Sequence, residues 1–218
     1  MGKLHLVIGN KNYSSWSLRP WIAMTMAGIP FKETMVLLDR PDTRRKIAVH
    51  SPSGRIPVLK DGKLAIWESL AILEYLAERF PEKNLWPRQT AARAMARAVS
   101  CEMHAGFSAL RNACPMNLRR PRKAVTMSSA IRKDVARIEE LWRDCRKKFG
   151  KGGKFLFGRF SIADAMFAPV VTRLDTYAIK VAPETRVYME AVLATPAFQK
   201  WRASALKEKW IVPSDEVD

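Results

Sequence analysis

The chain has 218 residues, 48% of them hydrophobic, which suffices for one or two packed domains and excludes disordered, collagen-like and low-complexity classes. Its 38 Lys and Arg against 21 Asp and Glu leave a net charge of +17, a balance that favours polyanions, acidic membrane surfaces or anionic small molecules without choosing among them. No apolar run approaches the roughly 20 residues of a membrane helix, and the run from Leu4 to Ile8 is too short for the apolar region of a secretion signal, so a soluble cytoplasmic protein with no membrane partner is expected. Cys101, Cys114 and Cys145 are odd in number and lack C-x-x-C spacing; reduced, partly buried thiols are expected, with neither a disulfide framework nor a metal site.

Taken in chain order, Lys3 to Ile8 reads as a strand. A polar loop leads into a helix from about Trp16 to Ala27, stopped by Gly28 and Pro30. Lys32 to Leu38 alternates as a second strand, and Pro41 to Val49 is a short basic helix or loop. Ile56 to Lys60 and Lys63 to Trp67 form a hairpin about Asp61-Gly62, and a helix from Glu68 to Phe80 closes an α/β unit over residues 1–80. Pro81, Asn84 and Pro87 punctuate a linker, residues 81–90.

Residues 91–218 read as all-helical. Met95, Val99, Met103, Phe107 and Leu110 predict one long amphipathic helix, and Ile131, Val135, Ile138, Trp142, Cys145 and Phe149 predict another. Ser161-Ile162-Ala163-Asp164 opens a third as a capping box, and shorter helices cover Glu184 to Leu193 and Pro196 to Ser204.

Three features can carry chemistry. Ser14-Ser15-Trp16-Ser17 places hydroxyls and backbone amides at a helix N-terminus, where an anion such as a thiolate or carboxylate is favoured. A proline in Ile56-Pro57, at a strand start, lacks a ladder donor and leaves the preceding backbone free to pair with an extended peptide. Glu68-Ser69, at a strand-to-helix junction, offers a carboxylate for an ammonium and a hydroxyl with N–H groups for a carboxylate, which together fit an amino-acid head group. Taken singly, each has an ordinary explanation in capping, a trans strand-start proline or dipole compensation.

In this order, and followed by Asn84-Leu85-Trp86-Pro87 and the Ser161 capping box, these motifs resemble the cytosolic glutathione S-transferases over nearly the whole chain. The serine-rich stretch through Arg19 is most similar to the serine-type classes, especially the zeta pattern of maleylacetoacetate isomerases. The resemblance implies a thioredoxin-like α/β domain followed by an all-α domain, a homodimer, and glutathione as co-substrate with no metal. It implies a detoxifying transferase that stabilises the glutathione thiolate for attack on a small electrophile. The alternatives are a cis-trans isomerase of maleylacetoacetate type and a non-catalytic basic scaffold with the same fold. Ile56-Pro57 matches the family's cis-proline motif and Glu68-Ser69 its glutamyl-binding pair, while Arg55 replaces the usual glutamine and can meet a glutathione carboxylate. Ser14, five residues before Arg19, corresponds to the catalytic position, with Ser15 second.

A thiolate favoured by about two pKa units needs roughly 2.7 kcal/mol, within reach of one charge-assisted hydrogen bond plus a helix-end field. The substrate side is expected to include Trp16, which stands where the zeta pattern has cysteine, with Tyr13 as an aromatic wall. His104, Phe107 and Arg111, spaced three and four apart on one helix, are expected to face the cleft, and Arg173 to meet an anionic substrate. Arg119-Arg120-Pro121-Arg122-Lys123 and Arg146-Lys147-Lys148 contain no interleaved aromatics, so nucleic acid is not an expected partner.

Overall fold

A computed structural model describes residues 3–217. Strand β1 (Leu4–Ile8) is the axis of a four-stranded sheet of order β2-β1-β3-β4. It pairs in parallel with β2 (Phe31–Met35), Leu6 opposite Glu33, and antiparallel with β3 (Val58–Asp61), Leu6 opposite Leu59. The period of two then sends Leu4, Leu6 and Ile8 into the main core and Val7 into a smaller cluster with Val36, Ile47 and Val58. Gly62, with φ of 59°, turns β3 into β4 (Leu64–Trp67).

Helix α1 (Ser15–Met26) connects β1 to β2, and its buried residues run from Ser15 to Met24 with only Trp16 less enclosed. It packs on α7 (Ile162–Thr176), α3 (Ser69–Arg79) and α9 (Pro196–Ala205). Pro20, inside α1, withholds the N–H that would meet the Trp16 carbonyl one turn back. The expected basic segment is a helix, α2 (Thr43–Ala48), that buries only Ile47. The remaining helices are α4 (Thr90–Ala105), α5 (Ser108–Ala113), α6 (Ser129–Phe149) and α8 (Pro183–Leu193). The architecture is thus a thioredoxin-like βαβαββα unit followed by a helical domain. None of the described helices is long and apolar enough to cross a membrane.

The expected long helix from Met95 to Leu110 is broken. A Cβ at Gly106 would lie 2.8 Å from the Glu102 carbonyl oxygen, and Phe107 takes the left-handed conformation with φ of 58°. The chain turns there and restarts as α5, so His104, Phe107 and Arg111 do not share a helix. Met95 is exposed, while Ala92, Ala96, Val99, Ser100 and Met103 form the buried face of α4. Cys114 and Cys145 are buried free thiols, which burial pushes up to about 11 and about 12, whereas Cys101 is exposed.

Helix α7 is buried along Ile162–Leu174, and its start is fixed by the capping box. Ser161 N–H and Oγ donate to Asp164 Oδ2 at 2.8 and 2.9 Å, and Leu156 N–H donates to Oδ1 at 3.0 Å. Burial pushes the Asp164 carboxyl up to about 6 against these bonds. A folded value above the unfolded one favours the protonated form, so this group's contribution is complete at low pH and is lost as pH rises through about 6. In denaturant titrations, the stability difference between the wild type and Asp164→Asn should therefore move toward the variant between pH 4 and 6 and be flat above pH 7. Asp164→Ala, which strands two backbone donors and the cap, should cost about 2 to 4 kcal/mol at pH 4 and less above pH 7.

Candidate functional site

The loop between β1 and α1 begins at Gly9, where a Cβ would come within 3.0 Å of Ser14 Cβ and Oγ and of Leu38 Cδ1. That close approach turns Ser14 inward. Ser14 Oγ donates to Ser17 Oγ at 2.7 Å, and Ser17 Oγ also accepts from Gly9 N–H at 3.1 Å. Ser15, the first residue of α1, accepts instead from Arg173 Nη2 at 3.2 Å, which leaves its own proton free to be donated.

A cleft of about 520 Å³ opens beside this helix end, walled by Trp16, Arg55, Ile56, Pro57, Glu68, Ser69 and His104 among the expected residues. Leu38 and Ile47 complete it. The Ile56-Pro57 peptide is cis. Glu68 has φ of 66°, a strained conformation for a residue with a side chain, and it hands the chain from β4 directly into α3. Ser69, wholly buried, accepts from Arg19 Nη1 at 3.3 Å.

The charges around the cleft are uneven. Arg19 is only 1% exposed, and among the described residues its Nε has no hydrogen-bond partner and no carboxylate pairs with it. Burial first, then repulsion from Arg173 and Arg111, pulls its guanidinium down to about 9, with Glu68 opposing. Arg173 is pulled down to about 10 by burial and by Arg111. Both remain cationic at neutral pH, so the α1 N-terminus carries a buried positive field that an incoming anion would relieve. Trp16 sits within it, its ring centroid 4.3 Å from Arg19 Cζ, 5.0 Å from Arg111 Cζ and 5.1 Å from the His104 ring, which meets it edge to face.

Six expected residues are not part of the cleft wall. Ser14 and Ser15 are turned into the bonds above. Tyr13 does not line the cleft: its hydroxyl donates to Glu216 and accepts from Arg119 Nη2. Phe107 joins the core at the break between α4 and α5. Arg111 spends Nη1 on the Gly106 carbonyl at 3.2 Å and acts on the cleft through Trp16. Arg173 is buried, and three of its five N–H groups go to the Cys114 and Pro169 carbonyls at 2.9 and 3.1 Å and to Ser15 Oγ at 3.2 Å, so it stands behind Ser15 and not in the cleft wall. Arg19 is the residue whose own role the sequence leaves unassigned: there it only sets the register of the serines, although a single arginine in an otherwise apolar stretch, Leu18 to Met24, marks it out.

Two family models match the chain: the N-terminal domain of glutathione S-transferases over residues 13–79 and the C-terminal domain over residues 118–204. The sequence is 27% identical to maleylacetoacetate isomerase of Rattus norvegicus over 192 residues, 85% of this chain and 87% of that protein. It is also 27% identical to glutathione S-transferase Z1 of Arabidopsis thaliana over 215 residues, 91% of this chain and 92% of that one. The fold is similar to a glutathione transferase homolog from Burkholderia crystallised with bound glutathione, at a TM-score of 0.71 and 21% identity, covering 93% of this chain and 98% of the other.

His104 Nε2 lies 3.4 Å from Glu68 Oε2, and its Nδ1 is buried without a partner. Burial and Arg19 hold this imidazole below its usual value of 6.5, Glu68 pulls the other way, and Arg111 adds to the lowering. Its ring resonances, followed by NMR, should titrate below pH 6.5 in the wild type and lower still in Glu68→Gln, which removes the one opposing charge.

Proposed function

Because the chain belongs to the glutathione S-transferase family, we propose that its cleft binds glutathione and holds the thiol as a thiolate for attack on a small electrophile. What carries this reading is one arrangement: Glu68-Ser69, the backbone before the cis proline, and the unneutralised Arg19–Arg173 pair all converge at the end of α1. Glutathione presents groups complementary to each of them. Its γ-glutamyl ammonium meets the Glu68 carboxylate, and the adjoining carboxylate meets Ser69 at the start of α3. Its extended backbone pairs with Ile56, and Arg55 takes the glycyl carboxylate. Its sulfur then comes to the N-terminus of α1, where the helix-end amides and the arginine field favour the anion.

Of the two serines, Ser15 is the better donor to the thiolate. Ser14 already gives its proton to Ser17, whereas the Ser15 oxygen accepts from a cation and its proton is unspent. The electrophile enters on the Trp16 side, where the nearby guanidiniums select for negative charge. That preference also supports the isomerase alternative, whose substrate is an acid, although the Trp16 indole fills the place of the zeta cysteine. The scaffold alternative is weakened because Arg119 and Arg120 are tied to main-chain carbonyls at Trp210 and Val217, not held free for a polyanion.

Ser15→Ala should lower turnover at neutral pH by about 10- to 100-fold, the worth of one hydrogen bond to a charged group, and raise the pKa of the bound thiol. Raising the pH should partly restore it, as solution then supplies the thiolate. Ser69→Ala should leave that pKa unchanged and weaken glutathione by roughly 1 to 3 kcal/mol in calorimetry. Glutathione at 100 times its dissociation constant should stabilise the wild type by about 2.7 kcal/mol; absence of any thermal shift refutes the reading.

We further propose a homodimer in which the sheet domain of one subunit faces the helical domain of the other, covering the exposed apolar side chains Leu64 and Trp67 on β4 and Met95 on α4. Sedimentation at micromolar concentration should give twice the chain mass, and Trp67→Glu should shift it toward the monomer.

A further inference from the structure

The loop that delivers the serines is held from the helical domain as well as from its own. Lys11 N–H and Asn12 N–H both donate to one carboxylate, Glu208 Oε1 and Oε2, at 2.6 and 3.1 Å. The Lys11 carbonyl accepts from Trp201 Nε1 at 2.9 Å, and the Asn12 carbonyl accepts from Leu118 N–H at 3.3 Å. All four backbone polar groups of Lys11 and Asn12 are therefore satisfied by the helical part of the chain. The side chains continue the pattern: Asn12 Nδ2 donates to Asn117 Oδ1 at 2.9 Å, and Asn12 Oδ1 accepts from Arg119 N–H at 2.8 Å. Glu216 accepts from both Tyr13 and Asn117, and Arg119 spans Tyr13, Glu208 and Trp210.

Glu208 is 7% exposed and lies just beyond α9, and its two oxygens are taken up by the two loop amides. A carboxylate that receives two consecutive backbone N–H groups fixes the direction of the chain that follows, because both donors must point to one place. Here the chain that follows is Tyr13-Ser14-Ser15. On the sheet side the same stretch is held at Asn10, whose Oδ1 accepts from Leu38 N–H and whose carbonyl accepts from Tyr13 and Ser14 N–H, so the Glu208 grip holds the loop from its other side.

We propose that Glu208 is a positioning residue: by gripping the Lys11 and Asn12 amides from the far end of the helical domain, it sets where the α1 N-terminus and its serine hydroxyls stand relative to the cleft. It touches neither substrate nor the thiol. The catalytic part of this inference rests on the reading of the cleft as a glutathione site, whereas the grip on the loop does not.

The test uses the full-length chain and the variant Glu208→Gln, which presents an N–H group to donors that need an acceptor. Amide hydrogen exchange at Lys11 and Asn12 should quicken by about tenfold or more, with β1 amides unchanged. The dissociation constant for glutathione should stay within about threefold, while kcat falls about tenfold or more and the pH midpoint for deprotonation of the bound thiol, read by thiolate absorbance, moves up. Glu208→Asp, which keeps the carboxylate, should recover part of both. Glu216→Ala, at an exposed position, should move the same readouts in the same direction by less, and it decides the matter if Glu208→Gln does not fold. Unchanged exchange overturns the grip. Faster exchange with an unmoved thiol midpoint and kcat overturns the positioning role, because a merely structural contact gives that pattern. Failure of the wild type to bind glutathione refutes the reading of the cleft and with it the catalytic part, while the exchange result still decides the grip.

Discussion

Two helices with almost no exposed face, α1 and α7, lie against each other at the centre of the molecule, and the charge they bury governs what surrounds them. Arg19 on one and Arg173 on the other are each enclosed, and among the described residues neither pairs with a carboxylate. The acceptors these guanidiniums find are neutral: Ser69 for Arg19, and Ser15 with the carbonyls of Cys114 and Pro169 for Arg173. Neutral acceptors satisfy geometry without cancelling charge. The excess is left to act at the one opening nearby, the cleft beside Trp16.

That constraint orders the residues of the cleft by role. Glu68 is the acidic group of the cleft wall, held in a strained backbone conformation with φ of 66° and set 3.4 Å from His104 Nε2. Trp16 is the surface through which Arg19 and Arg111 act, since its ring lies close to both guanidiniums and also forms cleft wall. Burial first, then Arg19, holds the His104 imidazole below its usual value, against the pull of Glu68, whose Oε2 lies 3.4 Å from Nε2.

Much of this was legible in the sequence because it is local. Strand alternation in Leu4–Ile8, the turn at Gly62, the proline after Ile56 and the Ser161 capping box each depend on residues a few positions apart, and each stands where the pattern puts it. The errors arose where distance along the chain ceased to measure distance in space. Apolar spacing carried the reading straight across Gly106, because a broken helix can keep the same residues buried; Phe107 and Leu110 join the core from a different segment. Tyr13 and Arg173 looked available because their partners, Glu216, Arg119, Cys114 and Ser15, lie on remote segments. Glu208 offered no signal at all: it is one acidic residue among many, and only the fold brings it to the Lys11 amide.

The sequence separation of that contact is 197 residues, which gives it a meaning during synthesis. A ribosome releases the sheet and α1 long before it releases Glu208, and domains fold as they emerge, so for most of translation the serine loop exists with its backbone donors turned to water. The nascent chain can hold a folded α/β unit and still lack a finished site. Only when the tail arrives does the loop close on its last acceptor, so a chain stalled or cut before that point lacks the carboxylate that takes the Lys11 and Asn12 amides.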